Sequence, residues 1–404
     1  MKKETKLGKI CVVSYPCPTR TKAWMHLFTV VRILESLSQR LCIITGNIPE
    51  DQIPQGKFRL TNFRMEPELR RDLPIIIALP MWLYSFVSGQ IKTFYYLLRV
   101  SRHTDTVLFF LGADVNLLPM LLSKLLGKKV ITMVAEYSPM SIKSVYGVFP
   151  YYIYKLLAAV NRRLSNRIIV YTENVIQWAK LEKYINKVSV TGEVFINTDL
   201  FCIKEPYAQR KNTIGYISRL TAEKGIFDFA DAIPLILRHR NDVDFLIGGD
   251  GISAAKVREK LAQNGLMERI TFANWIPHDE LPDYMNKLKL LVMPTHTEAG
   301  SPQVLQESMS CGTPVLATPV GGIGDVVKDK ENGFILKDHS PQRIAEAVLA
   351  VLEYPGINGI IKSGRKLIEK EYSFEAVAER FKKAFIGAEE TQPTVDLMIN
   401  KREA

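Results

Sequence analysis

Two glutamates, Glu298 and Glu307, flank a stretch of sequence that is typical of a helix start. Ser301 is a favourable N-cap and Pro302 suits the first helical position, so a helix is expected to run from there to a stop at Gly312. The first turn of a helix carries unpaired N–H groups and a partial positive charge, which together can bind an anion. Glu307 lies beyond the first turn, where the dipole effect fades, so it either has another role or is a solvated surface residue.

Two cations precede a second helix start in "GYISRLTAEKGIFDF". A strand is expected to end at Ser218, which places Arg219 and Lys224 in the turn that leads into the helix. Cations at a helix N-terminus oppose the dipole, so these two side chains either bind an anion or are solvated. Cations at one strand end and acids at another strand end of the same half predict that these groups form a single binding or catalytic site.

The elements that must position these groups are short apolar strands alternating with helices, a pattern that predicts parallel α/β sheets. Strands are expected at 9–15, 40–46, 106–112, 128–136, 167–172, 212–220, 244–251, 269–276, 288–295, 313–322 and 332–337. Helices are expected near 23–38 and at 117–127, the latter with Gly127 as its C-cap.

The polar and irregular segment 194–212 is the predicted linker between two doubly wound, Rossmann-like domains. An N-terminal domain at 1–200 is predicted to be joined by the C-terminal helix 374–388, and a C-terminal domain is predicted at 208–372. Two such domains that face each other are expected to bind a ligand in a cleft at the carboxyl ends of their strands.

Composition excludes several classes of protein. The 404 residues are 47% hydrophobic and 24% charged, which is typical of a globular chain and not of a disordered one. Five scattered cysteines and six dispersed histidines argue against a zinc site or a disulfide framework. The D-x-D at 242–244 leads straight into a strand, so no metal site is expected there. The basic start lacks the apolar run of a signal peptide, so a cytoplasmic location is expected.

The net charge of +11 is concentrated in one half of the chain. Residues 1–200 hold 27 Lys+Arg against 14 Asp+Glu, and the remainder holds 26 against 28. The same half contains apolar stretches at 73–91 and 145–164, which are either buried helices or interfacial helices on an anionic membrane; a membrane-spanning helix at 73–91 is a weaker third interpretation because Pro and Gly interrupt it. Nucleic acid is not expected, because the aromatic residues lie in apolar blocks and are not interleaved with Arg and Lys.

The second half resembles the nucleotide-sugar domain of the retaining glycosyltransferases of family 4, which have the GT-B fold. The resemblance is carried by "GYISRLTAEKG", "LIGGDG", "NWIPHDELPDYM", "EAGSPQVLQESMSCGTPVLATPVGGIGDVV" and "ENGFIL". Weaker similarities in "LGKKVITMVAEY" and "FINTDLF" extend it to about residues 105–385. The resemblance implies transfer of a sugar from a nucleotide-diphosphate donor, with retained configuration and without a metal or a cofactor.

The resemblance also implies roles for the residues singled out above. Arg219 and Lys224 would hold the donor diphosphate and stabilise the leaving group, and Glu298 would contact the transferred sugar. Glu307 would bind the ribose hydroxyls. Further substrate-binding residues are expected at Ile276, Gly300, Ser301 and Gln303.

Two departures from the family pattern leave other interpretations open. Eight residues separate Glu298 from Glu307 where the family usually has seven, so Ala299 is in effect an insertion; and "TMVAEYSP" has Ala135 where many members carry a histidine. The alternatives are a nucleotide-sugar epimerase or hydrolase of the same fold, and an inactive membrane-associated binding subunit. The expected acceptor is a glycan or a lipid-linked sugar, met by a peripheral enzyme on the cytoplasmic face of an anionic membrane.

Overall fold

A computed structural model describes residues 6–14, 24–65, 75–134, 148–192, 195–298 and 302–387 of the chain. Ala135, Gly300 and Ser301 therefore lie outside the described residues. The chain divides into two compact units, one formed by residues 1–192 with 378–404 and the other by residues 193–377.

The first unit is built on a seven-stranded parallel sheet of order β3-β2-β1-β4-β5-β6-β7. Its strands are β1 Leu7–Ser14, β2 Ser38–Gly46, β3 Phe58–Phe63, β4 Thr106–Phe110, β5 Lys129–Val134, β6 Arg167–Val170 and β7 Val188–Val190. Its helices are α1 Trp24–Leu37, α2 Ile75–Val100, α3 Leu117–Leu125, α4 Val148–Leu164 and α5 Asn174–Trp178. The sequence missed β3 and β7. Both are edge strands with partly exposed side chains, so neither has the continuous apolar run of a buried parallel strand.

The second unit is built on a six-stranded parallel sheet of order β10-β9-β8-β11-β12-β13. Its strands are β8 Thr213–Ile217, β9 Asp244–Gly248, β10 Ile270–Asn274, β11 Leu290–Met293, β12 Val315–Ala317 and β13 Phe334–Ile335. Its helices are α6 Ile226–Leu237, α7 Ala254–Gln263, α8 Leu281–Lys287, α9 Gln303–Ser310, α10 Ile323–Val326, α11 Pro341–Leu352 and α12 Ile357–Leu367, and α13 Phe374–Ile386 continues into the first unit. All six strands were expected, but most end earlier than predicted, so residues 218–220, 249–251, 294–295 and 318–322 belong to loops.

Alternate residues of the central strand β8 pack into two apolar clusters. Ile214 and Tyr216 enter one cluster and Ile217 enters the other, so both faces of the sheet are covered. The order of the strands reverses at β8, because β9 follows on one side and β11 returns on the other. Ligands of open α/β sheets bind outside the strand ends at such a reversal.

The segment predicted as a linker packs against the second unit. Phe201 is 1% exposed and Arg210 is 4% exposed. The Arg210 guanidinium donates hydrogen bonds to the carbonyl oxygens of Glu205, Leu288 and Cys311. An irregular backbone can be buried here because a buried cation satisfies its carbonyl groups.

No single helix among the described residues is long and apolar enough to cross a membrane, and this includes α2, the helix of the 73–91 stretch. The consecutive helical segments Pro341–Leu352 and Ile357–Tyr372 pass a test of length and composition only when taken together, with a bend of 100° between them.

Gly225 is required by a close backbone contact between the loops after β8 and β11. Its φ of 74° is left-handed, and a β-carbon there would lie 2.0 Å from the carbonyl oxygen of Pro294. Gly265 also has a left-handed φ, of 68°, but a β-carbon there would meet nothing within 4 Å. A comparison of the two glycines therefore separates the cost of a left-handed backbone from the cost of a collision with Pro294.

We expect Gly225→Ala to lower the free energy of unfolding by more than about 3 kcal/mol, because backbone strain is joined by a collision with a main-chain atom. Gly265→Ala, with strain alone, should cost only about 1–2 kcal/mol. Urea unfolding of the two variants followed by circular dichroism measures the difference. Equal losses would show that the loop contact at Pro294 is not a constraint.

Candidate active site

Main-chain hydrogen bonds join the loops at the carboxyl ends of β8 and β9. The Ser218 N–H donates to the Gly248 carbonyl at 3.2 Å, and the Leu220 N–H donates to the Asp250 carbonyl at 2.9 Å. A β-carbon at Gly249 would lie 1.9 Å from the Ser218 carbonyl oxygen. The turn in "GGDG" is therefore tight because two strand-end loops are in contact.

The loops after β11 and β12 are joined to the same cluster. The His296 N–H donates to the Glu223 carbonyl at 2.9 Å, and the Thr318 hydroxyl donates to the Thr295 carbonyl at 2.5 Å. Four strand ends thus converge on one edge of the sheet, at the position where the strand order reverses.

Lys224 and Glu298 meet at this edge. The Lys224 ammonium lies 2.5 Å from Glu298 Oε2, and the side chains are only 11% and 19% exposed. The sequence offered no partner for Lys224 in its own neighbourhood; its partner is 74 residues further along the chain. The pair joins the β8 loop to the β11 loop, and the low exposure makes its charge interaction stronger than that of a surface pair.

Arg219 lies in the same loop as Lys224 and is exposed. Within the described part of the chain, its guanidinium makes no hydrogen bond or ion pair, so its donors are open to an anion. The pKa of Glu223 is lowered mainly by hydrogen bonds to its own backbone and to Thr221, and further by the positive charges of Arg219 and Lys224. These charges produce a positive field at the strand ends.

Glu307 is buried and paired, so the interpretation as a solvated surface residue is wrong. Its side chain is 3% exposed, and Oε1 lies 2.7 Å from His278 Nε2. The hydrogen bond to Glu307 raises the pKa of His278, with a further increase from Asp279, while burial opposes the shift. Sequence analysis missed His278, which lies in the loop after β10 and carries no local signal of this role.

The remaining predicted residues lie around the same edge. Ile276 is half-buried and packs over Gly248, where a β-carbon would lie 2.7 Å from Ile276 Cδ1. Gln303 is the first residue of α9, and Pro302 is the N-cap, which corrects its predicted place inside the helix. The helix ends at Cys311 and Gly312, as expected.

Three other sequence features now have structural explanations. The Asp242 carboxylate of the D-x-D is paired with Arg240 and accepts a hydrogen bond from Asn212. Trp275 is 69% exposed and is not a core residue. Cys311 is fully buried, which raises its pKa to about 12, so it is a small hydrophobic residue and not a reactive thiol.

The arrangement has the chemistry of a phosphate-binding and hydroxyl-binding site. Arg219, Lys224 and the first amides of α9 supply positive charge and N–H donors, whereas Glu298 and Glu307 supply carboxylate oxygens that accept hydrogen bonds from hydroxyl groups. A ligand with both phosphates and sugar hydroxyls satisfies both sets.

A family model described as "Glycosyl transferases group 1" matches residues 211–354, which contain Arg219, Lys224, Ile276, Glu298, Gln303 and Glu307. Residues 211–354 therefore resemble a group 1 glycosyltransferase domain. The predicted resemblance to group 1 glycosyltransferases is therefore confirmed for the part of the chain that carries the site.

Similar curated relatives match less than half of this chain. A 2-deoxystreptamine glucosyltransferase of Streptomyces kanamyceticus is 32% identical over 167 residues, which is 41% of this chain and 43% of the relative. A glycogen synthase of Mycobacterium tuberculosis is 25% identical over 202 residues, covering 48% of this chain and 49% of the relative. The matched part thus spans less than half of either relative.

Solved structures resemble the chain over nearly its whole length. HepE of Anabaena in complex with UDP has a TM-score of 0.72 at 13% identity and covers 94% of this chain and 99% of that one. A glycosyltransferase from Rickettsia africae has a TM-score of 0.69 at 16% identity, with 95% and 100% covered. With two parallel α/β sheets, this likeness confirms the GT-B fold that the sequence predicted.

A double-mutant cycle measures the strength of the Lys224–Glu298 pair in the glycosyltransferase domain. We expect Lys224→Met and Glu298→Gln to show a coupling free energy of about 1–2 kcal/mol, because both groups are largely desolvated. The surface pair Arg343–Glu346, in which both side chains are 64% exposed, should show less than about 0.5 kcal/mol. Urea unfolding of the four variants in each cycle gives the two values, and equal couplings would contradict the assignment.

Proposed function

We propose that the protein is a glycosyltransferase that moves a sugar from a nucleoside-diphosphate sugar to an acceptor with retention of configuration. The observation that carries the proposal is the Lys224–Glu298 pair, a cation and an acid brought together at the strand ends of a group 1 glycosyltransferase domain. The bound UDP named for the HepE structure supports a nucleotide donor.

Arg219 and Lys224 bind the diphosphate and stabilise the charge that develops on it as the sugar–phosphate bond breaks. An ammonium has three N–H donors, so Lys224 can keep its hydrogen bond to Glu298 while another donor meets a phosphate oxygen. Glu298 then lies next to the phosphate that carries the sugar, where it accepts a hydrogen bond from a sugar hydroxyl. Two cations supply the charge that a divalent metal supplies in other transferases, so the proposed reaction needs no metal.

Glu307 and Ile276 belong to the nucleoside end of the same site. Glu307 accepts hydrogen bonds from ribose hydroxyls, and Ile276, which packs over Gly248, provides an apolar surface beside the base. The amides at the start of α9, including that of Gln303, lie at the phosphate end; Gly300 and Ser301 are proposed to complete this part.

We expect Arg219→Ala and Lys224→Ala each to reduce turnover by roughly 10²-fold or more, because leaving-group stabilisation is lost. Lys256→Ala, which removes an exposed lysine of α7, is the matched control and should keep the wild-type rate. The measurement is release of UDP, GDP or ADP from the corresponding sugar nucleotides, with a lipid extract as the source of acceptor and with or without EDTA.

Each alternative predicts a different result in this assay. Donor consumption without a glycosylated product favours an epimerase or a hydrolase. Binding of a nucleotide without turnover favours an inactive binding subunit. Wild-type rates in both alanine variants, or loss of activity with EDTA, would contradict the metal-independent mechanism.

We further propose that the enzyme works on the cytoplasmic face of an anionic membrane, with a lipid-linked sugar or glycan as acceptor. The proposal rests on the outer surface of α2, α3 and α4, which we call the three-helix face. α3 packs against both α2 and α4, so the three helices form one continuous surface. Its exposed large apolar side chains are Ile77, Met81, Leu83, Tyr84, Val87, Ile91, Tyr95, Leu98, Leu118, Leu121, Leu125, Val148, Tyr152, Leu156 and Val160.

The apolar side chains form a stripe on each helix. On α4 they recur at every fourth residue from Val148 to Val160, which aligns them on one side. The opposite side of α4 is tied to the unit by Arg162, which donates two hydrogen bonds to the buried Asp114 at 2.9 and 2.6 Å. The stripe is therefore the outer face of a helix whose inner face is already in use.

Charge favours a membrane over a second copy of the chain as the occupant of this face. Apart from the inward-facing Arg162, the basic residues of the three helices are Lys92, Arg99, Lys124, Lys155 and Arg163, and the helices contain no acidic residue. Two copies docked through this face would oppose cations to cations, whereas anionic headgroups neutralise them. Apolar insertion combined with basic attraction is the usual pair of signals for peripheral attachment.

We expect the protein to co-sediment with vesicles of phosphatidylcholine and phosphatidylglycerol at low salt, and less so at high salt, because screening weakens the charge attraction. Leu121→Asp with Leu156→Asp should weaken vesicle binding by about tenfold or more. Ile252→Asp, at an apolar residue that is 90% exposed in the other unit, is the control. A protein that stays in the supernatant at low salt is not a membrane protein, and a concentration-dependent dimer lost in the double variant identifies a second copy as the occupant.

A further inference from the structure

The Glu307 carboxylate is covered on one side by His278. Glu307 Oε1 is 2.7 Å from His278 Nε2, and the Glu307 side chain is 3% exposed. No described residue donates a hydrogen bond to the other oxygen, Oε2. A carboxylate that accepts hydrogen bonds from two vicinal hydroxyls uses both oxygens, and here a ring nitrogen occupies the position of one of the hydroxyl donors.

His278 is the more movable partner of this pair. Glu307 is carried on helix α9, whose next turn is tied to its surroundings by the Ser310 hydroxyl, which donates to the Phe201 carbonyl at 2.6 Å. His278 lies in the loop between β10 and α8, and its side chain is 60% exposed. Its ring packs against Phe201, which is 1% exposed, at a centroid distance of 5.1 Å. The site has a fixed floor of Glu307 and Phe201 and an exposed histidine above it.

We propose that His278 is a displaceable cap on the nucleoside end of the site, and that the ribose of a nucleoside diphosphate must replace it on Glu307 to bind. The inference rests on the proposed function, because it takes the bound molecule to be a nucleotide. In this role His278 sets the affinity for the donor and makes that affinity depend on pH.

The sign of the pH dependence follows from the ion pair. Glu307 raises the pKa of His278 through their hydrogen bond, so the protonated histidine holds the cap closed below that pKa. As the pH rises through the raised pKa, the ion pair is lost and the cap opens more easily. Nucleotide affinity therefore increases with pH, and nucleotide binding releases a proton in the pH range between the ordinary and the raised pKa of His278.

Other charges near the pair are already balanced or act in the same direction. Asp279, in the same loop, also raises the pKa of His278. Asp283 of α8 is paired with Lys204 at 2.6 Å. On α12, Arg365 is paired with Glu369 and donates to the Phe201 carbonyl. Glu307 is thus the group whose partner changes when the cap opens.

The test measures the Kd of UDP-glucose, with GDP-glucose and ADP-glucose in parallel, by calorimetry from acidic to alkaline pH. The diphosphate of a sugar nucleotide has no terminal phosphate that titrates in this range, whereas that of UDP does. For wild type we expect affinity to rise by about three- to tenfold across the titration of His278. His278→Ala should bind the nucleotide about three- to tenfold more tightly than wild type at low pH and show a flat profile. His278→Gln keeps a neutral hydrogen-bond donor and should also be flat, and His239→Ala, at an exposed histidine near the end of α6, should retain the wild-type profile.

A second readout does not depend on the alanine variant. The imidazole signals of His278 report its pKa by NMR, and saturation with the nucleotide should return that pKa toward the ordinary value of histidine, because Glu307 is no longer its partner. A pH-independent Kd in wild type, weaker binding in His278→Ala, or an unchanged His278 pKa in the complex overturns the cap. If wild type binds none of the three nucleotides at any pH, the proposed function fails and the cap fails with it.

Discussion

The site depends on a backbone contact that only glycine permits. At Gly225 and Gly249 the loops after β8, β9 and β11 approach so closely that a β-carbon would lie 2.0 and 1.9 Å from a carbonyl oxygen, far inside van der Waals contact. This contact places Lys224 against Glu298, although 74 residues separate them. The reversal of strand order at β8 leaves room for a ligand at the strand ends. The close loop contacts at the two glycines place the charged side chains there.

The two units concentrate different kinds of interaction. In the second unit, paired charges and strand-end amides form the surface that we propose for a nucleotide sugar. In the first unit, three packed helices without an acidic residue present apolar stripes and basic side chains to the outside. The proposed donor is small, charged and water-soluble, whereas the proposed acceptor is anchored in lipid. The two substrates require different surfaces, so the proposed activity accounts for the uneven charge of the chain.

Sequence patterns predicted the sheets well where strands are buried on both faces. Their apolar runs are continuous, and all six strands of the second unit were found in this way. The edge strands β3 and β7 were missed because half-exposed strands carry a mixed pattern. Strand ends were placed too late: the predicted strands included loop residues such as Ser218 and Gly249, which follow the last paired residues, Ile217 and Gly248. Arg210 was assigned to a linker, since nothing in its neighbourhood reveals that its buried guanidinium would donate hydrogen bonds to segments as distant as Leu288 and Cys311.

The sequence by itself determined the alternation of strands and helices, the residue types at each strand end and the division of charge between the two halves. Each of these features depends on residues within a few positions along the chain, so it can be predicted from a local sequence pattern. The tertiary structure alone decided which groups meet: Lys224 with Glu298, and Glu307 of helix α9 with His278, 29 residues away in a loop. The outward orientation of the apolar stripes was also decided there, because the same periodic pattern suits a buried helix, and only packing shows which face has no neighbour.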